Sequence, residues 1–343
     1  MHTRNTWVDN AKGIGIILVV YGHVARGIAS ANLPVDVKLF QLVDSIIYSF
    51  HMPLFFFLSG LFFYNSLLKR GRVGLVLNKM DTILYPYVLW SLIQGFVEVA
   101  FSHYTNGDAT IGSVLSLIWH PRAQFWFLYA LFLVFTLCTL IYAHVRRTYF
   151  LAITIIFALS YLADRLFPQS MILGYLLGNT VFFALGIWFN EVMAFFEERR
   201  AWLTAAFSAL FVTAQFLFHI TFGFRYTEGG WPSLLLSMIS IFFVVMLSMC
   251  LSRAKFKWLQ VLGASSMTIY LMHILVGSGT RVIFQKFLGI ESISLHLVLG
   301  VISGLVFPLL AQVVIRRYNW GVLLAPPEWM SAKRVSPRAA PTA

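Results

Sequence analysis

Charge is what this chain has least of. Only 11% of its 343 residues are Asp, Glu, Lys or Arg, where a soluble globular chain carries about 25%. That shortage excludes a soluble domain with a solvated surface. Acidic residues are the scarcest, 13 against 25 basic ones. The net charge of +12 nevertheless does not point to nucleic acid. The basic residues sit in short loops between apolar runs and build no basic domain. The two cysteines, Cys138 and Cys250, lie far apart in apolar runs. They read as packing residues rather than as a disulfide or a metal pair. The chain also has no GxxxxGK phosphate loop, no HExxH zinc helix, no GxSxG nucleophile elbow and no sustained repeat. Several familiar enzyme classes are thereby without support.

What is present is apolar: 59% of residues are hydrophobic and the mean hydropathy is +0.79. Runs able to cross a bilayer of about 30 Å fall near 13–31, 42–64, 82–102, 124–143, 149–164, 171–190, 202–221, 232–251, 260–282 and 294–315. The pattern predicts an all-α, polytopic membrane helix bundle of about ten transmembrane helices. Residues 1–320 form one membrane-embedded domain. Lys69, Arg70, Lys79, Arg146, Arg199, Arg253 and Arg316 fall on one side of such a bundle, with most of the other cations. That bias predicts both termini to be cytoplasmic. Residues 321–343, rich in Pro, Ala, Ser and Arg beyond Pro326, are expected to be a disordered cytoplasmic tail. Ala29-Ser30-Ala31 imitates a signal-peptide cleavage site, but the run before it is long enough to span, so the segment is expected to remain.

Ionisable groups inside a bilayer are costly and mark functional sites. Lys12 and His23 share nearly one face of the first helix, about 16 Å apart along its axis, and Asp9 lies one turn from Lys12. An uncharged imidazole at mid-membrane depth can act as a general base or a nucleophile; the bland alternative is a histidine that glues two helices. His51 falls near the middle of the second span, so it can lie at the depth of His23. Pro53 removes a backbone donor there and frees a carbonyl. Ser59-Gly60 reads as helix packing. Tyr270 and His273 sit in the ninth span, with Arg281 about two turns further along. Trp119-His120-Pro121-Arg122 and Phe125-Trp126-Phe127 lie at the outer mouth of the fourth span. Trp126 is either an interfacial anchor or a platform for a sugar ring. Asp44 and Glu98 can each orient an imidazole or neutralise Arg26, and the sequence does not assign the pairs. The three mid-depth histidines lack the i,i+3 or i,i+4 His/Glu partners of bundle metal sites, so no metal is expected.

Together these segments resemble the integral-membrane acyltransferase 3 family, and most closely its fucose 4-O-acetylase-like branch. Four blocks carry the likeness: Val8-Asp9-Asn10-Ala11-Lys12 through His23, similar to the family's basic-x10-His motif; Phe50-His51-Met52-Pro53 through Ser59-Gly60; Phe125-Trp126-Phe127-Leu128; and Leu262-Gly263-Ala264-Ser265-Ser266 through Tyr270-Leu271-Met272-His273. The first two together are the most specific. Lys12 stands where many members have arginine, which keeps the charge and loses the bidentate fork.

The resemblance implies an O-acetyltransferase that moves an acetyl (acyl) group from cytoplasmic acyl-CoA to a hydroxyl of a glycan or lipid-linked sugar. It places the chain in the bacterial inner membrane among membrane lipids, with acetyl-CoA as co-substrate and no permanently bound cofactor. His23 is then the expected catalytic residue. Asp9, Lys12, His51, Arg122, Trp126, Tyr270 and His273 are the expected substrate-binding residues, and nucleic acid is no partner. The rival reading is a proton-coupled transporter of a small solute or glycan precursor, since intramembrane His and Glu also suit proton relays. Against it, no paired interrupted helices stand in matching halves of the chain.

Overall fold

A bilayer leaves no water to satisfy backbone groups, so a chain of this composition must pair them within helices. The computed structural model describes residues 5–31, 33–102, 109–163, 170–254 and 256–335. They run through α1 (Thr6–Ser30), α2 (Val37–Tyr48), α3 (His51–Leu61), α4 (Phe63–Lys79), α5 (Tyr85–Ala100), α6 (Ile111–Leu115), α7 (Trp126–Tyr142) and α8 (Phe150–Ala163). They continue through α9 (Met171–Glu198), α10 (Arg200–Phe216), α11 (Gly230–Leu251), α12 (Lys257–Ala264), α13 (Ser266–Val282) and α14 (Ile293–Arg317). Among the described residues, nine helical stretches are long and apolar enough to cross a membrane. The tenth expected span, near 149–164, corresponds to a shorter apolar helix, Arg147–Ala163. The protein is a polytopic membrane helix bundle, as its composition demands.

α1 is the hub and packs against α3, α11, α12, α13 and α14. Two crossings explain how backbones come so close. A Cβ on Gly60 of α3 would overlap the Phe183 carbonyl oxygen of α9, and one on Gly186 of α9 would overlap the Phe57 carbonyl oxygen of α3. The same reciprocal arrangement joins α1 to α12: Gly13 faces the Leu259 carbonyl and Gly263 faces the Asp9 carbonyl. Small residues at such crossings are the usual means of helix association where lipid and side chain are equally apolar.

The second span is broken at Ser49–Phe50, between α2 and α3. Pro53 has no N–H for the Ser49 carbonyl one turn back, and the Ser237 hydroxyl of α11 donates to that carbonyl instead, at 2.6 Å. The expected freed carbonyl is therefore present, and a neighbouring helix satisfies it.

Residues 321–335 are placed rather than disordered, which corrects the expected start of the tail. The Leu323 carbonyl accepts from the Trp90 indole at 2.7 Å, and the Val322 carbonyl accepts from the Tyr85 hydroxyl at 2.8 Å. Asp81, buried in the π-helical turn Met80–Leu84, accepts from the Ser331 hydroxyl at 2.6 Å and the Ala332 N–H at 2.8 Å. A composition rich in Pro and Ala says nothing about such docking, which these buried donors and acceptors require. The rest of the expected tail, 336–343, lies outside the described residues. Asp81→Ala is expected to release the docked segment at a cost on the order of 2 kcal/mol. Limited proteolysis should then cleave within 318–335 while the bundle stays resistant; equal protection of variant and wild type would contradict the docking.

Candidate active site

The polar residues singled out on α1 separate into two groups at opposite ends of that helix. Asp9 is buried and Lys12 half-buried in the proximal end. Arg70 and Lys12 are the charged neighbours of Lys79, whose ammonium lies 4.0 Å from the Phe135 ring centroid. A cluster of cations on α1 and α4 thus forms at this end. A left-handed glycine, Gly71 at φ 68°, breaks α4 beside Arg70.

His23 lies near the distal third of α1. Its ring centroid is 5.1 Å from that of His273 on α13 and 6.5 Å from that of Tyr48 on α2. His51 stands behind Tyr48, 4.5 Å between centroids. Three helices therefore gather the three histidines around Tyr48 and His23. His51 Nδ1 lies 2.8 Å from the Ile47 carbonyl oxygen. His273 Nδ1 lies 2.7 Å from the Tyr270 carbonyl oxygen and 3.1 Å from that of Ile269. A carbonyl can only accept, so in both rings Nδ1 carries the proton and Nε2 offers the lone pair. Among the described residues, His273 Nε2 is buried with no partner. His23 is held by packing alone, since its ring takes no hydrogen bond from the described residues.

From His23 a cavity of about 970 Å³ runs along the distal end of α1, lined among others by Arg26, Glu98, Arg122, His273, Arg281 and His296. That size suits one or two sugar rings or a drug-sized molecule. Glu98 in this lining and Asp44 behind Arg26 resolve the pairing left open by the sequence. Asp44 takes Arg26, at 2.6 and 2.8 Å, and Glu98 takes Arg122, at 2.9 Å. Gln94 and Gln124 extend the second pair: the Gln94 amide donates to Glu98 at 2.8 Å and the Gln124 amide donates to Gln94 at 2.6 Å. Behind this pair, the Tyr270 hydroxyl donates to the Gln124 main-chain carbonyl.

Of the expected site residues, His23, His273 and Arg122 line this cavity. Tyr270 stands behind His273, 6.0 Å between ring centroids, and His51 packs on Tyr48 outside this lining. Trp126 stacks on Tyr175 with centroids 5.8 Å apart and lies outside this lining, and His120 is exposed in its loop. Tyr48, Gln94, Gln124 and Tyr226 were not singled out by sequence. Only Gln94 carried a signal, one helical turn before Glu98. Among the described residues, no cluster of three His, Cys, Asp or Glu side chains is placed to hold a metal ion.

This arrangement sets an imidazole between a distal cavity and a proximal cation cluster, on a helix shared by both. Residues 5–315 match the family model described as an acyltransferase domain. The chain belongs to this acyltransferase family. The chain is also similar to nodulation protein NolL of Sinorhizobium fredii, 31% identical over 140 residues, covering 40% of this chain and 37% of that protein. NolL of Mesorhizobium japonicum is 28% identical over 138 residues, covering 40% and 35%. The chain thus matches little more than a third of the length of these relatives. No solved structure matches. The family match runs from before Asp9 to Ile315 in the last turn of α14, so both ends of α1 and the cavity lining fall inside it.

Proposed function

We propose that the protein is a membrane O-acyltransferase that moves an acetyl group from cytoplasmic acetyl-CoA to a hydroxyl of a cell-envelope or exported glycan, in the bacterial inner membrane. The observation that carries this reading is His23 at the inner end of the distal cavity, on the helix whose other end holds Lys12 in a cation cluster. The fucose 4-O-acetylase-like branch rests on the sequence blocks alone. Lys12, Arg70 and Lys79 would hold the phosphates of CoA from the proximal side. The pantetheine arm would then span the ~16 Å rise to His23, and the sugar would enter from the distal side beside Arg122 and His273.

In the step itself, the His23 imidazole takes the proton of the sugar hydroxyl as its oxygen attacks the thioester carbonyl carbon. The tetrahedral intermediate collapses with cleavage of the C–S bond, and the departing thiolate recovers the proton from the imidazolium. An acetyl-imidazole on His23 replaces this direct route if the two substrates never meet.

The test uses purified protein in lipid vesicles, radiolabelled acetyl-CoA and the envelope-glycan extract of a deletion strain. Label is expected in the glycan, and mass spectrometry of that strain's glycans should lack one acetyl increment. Solute uptake into the vesicles with no dependence on acetyl-CoA would instead establish a carrier.

A further inference from the structure

Arg26 sits three residues after His23, so it projects from nearly the same face of α1, about 4.5 Å further along. A guanidinium has five N–H donors in a rigid planar fork. Three of them are committed here. Nε–H donates to Asp44 Oδ1 at 2.6 Å, and the two Nη2 hydrogens serve Asp44 Oδ2 at 2.8 Å and the Tyr226 hydroxyl at 2.9 Å. The plane of the group is covered by Tyr48, whose ring centroid is 3.2 Å from Arg26 Cζ. Among the described residues, the two N–H groups of Nη1 have no acceptor, and Arg26 lines the cavity with 35% of its side chain exposed.

Tyr226 belongs to the connection between α10 and α11, and it is fixed at both ends. Its N–H donates to the Ser45 hydroxyl at 2.9 Å, and its hydroxyl receives Arg26. The Ser45 hydroxyl in turn lies 3.4 Å from His219 Nδ1. Tyr226 thus reaches the site through its hydrogen bond with Arg26 and through its ring, 5.5 Å from that of Tyr48 between centroids, a ring contact that a phenylalanine would keep.

We propose that Arg26 is a second acceptor-binding group, presenting its Nη1 hydrogens to a sugar oxygen beside the reacting hydroxyl, and that Tyr226 is the positioning residue that keeps it aimed. The inference rests on the acyltransferase reading above and names the acceptor's chemistry. Asp44 already balances the charge of Arg26, so the pair offers donors with little net field. Such a pair suits the neutral hydroxyl and ring oxygens of an uncharged sugar better than a phosphate or a carboxylate, each of which would face Asp44 as well. The carbohydrate enters with its reacting hydroxyl toward His23 and the neighbouring oxygen toward Arg26.

The experiment titrates the envelope-glycan extract of the deletion strain, measured as total sugar, against reconstituted protein at fixed radiolabelled acetyl-CoA. Tyr226→Phe removes one hydrogen bond to a charged group. It is expected to raise the half-saturating glycan concentration by about tenfold, leaving the half-saturating acetyl-CoA concentration unchanged. The pair Arg26→Gln with Asp44→Asn keeps the site neutral and is expected to raise the glycan value by about 30-fold. Arg26→Lys should recover part of that loss if donor capacity matters. An unchanged glycan value in Tyr226→Phe overturns the inference. So does a lower maximal rate with both half-saturation values unchanged, which marks a purely structural contact. If the Arg26/Asp44 pair fails to fold, the Tyr226→Phe titration alone decides. Failure of the wild-type protein to label glycan overturns the acyltransferase reading itself, and the inference with it.

Discussion

Replacing His23 with alanine is expected to lower acetyl transfer to glycan by about a thousandfold or more, within the range that a positioned general base supplies. The protein should still assemble. The His23 ring makes no hydrogen bond to the described residues, and its ring neighbours, His273 and Tyr48, keep other contacts of their own. Removing it therefore strands no buried partner. The check is label transfer from radiolabelled acetyl-CoA, with a monodisperse elution profile and an unaltered melting curve. Trapping after acid quench separates the two routes: label retained on the wild-type protein and absent from His23→Ala marks an acetyl-imidazole, and label on neither marks direct transfer. Full transfer by His23→Ala would remove the catalytic assignment.

The largest structural effect is expected at Gly60. A single methyl there meets the Phe183 carbonyl oxygen, and main-chain atoms cannot rotate aside as a side chain can. α3 and α9 must move apart, and this pair forms one of the most extensive helix contacts of the bundle. Overpacking of this kind costs about 3 kcal/mol. Gly60→Ala should lower the melting temperature markedly in detergent. Gly178→Ala is the control, because it lies on the same α9 and a methyl there meets nothing within 4 Å. That variant is expected to be neutral or slightly stabilising, since alanine is the better helix former. Equal melting of the two variants would mean that the crossing is not close.

The membrane class and the polar character of α1 were legible in the sequence. Both follow from periodicity and from the expense of burying a polar group. The pairing of Asp44 with Arg26 and Glu98 with Arg122 was not. It depends on how each helix is rotated about its own axis, which hydropathy does not encode. Tyr226 lies 200 residues from Arg26 in sequence and sits in a connection with no motif, so nothing local announces it. Residues 321–335 were misread for a related reason: composition records what a segment can bury by itself, whereas this one is held by acceptors and donors on another helix.

The break at Ser49–Phe50 divides one span into two parts with different fastenings. The upper part, α2, is tied by side chains: Asp44 to Arg26, Ser45 to Tyr226, and the Ser49 carbonyl at its end to Ser237. The lower part, α3, is tied by main-chain contact at Gly60. Changes far enough apart to share no partner act independently. Descendants of this protein can therefore exchange the polar fittings around Arg26 to serve a different carbohydrate without loosening the anchorage beneath it.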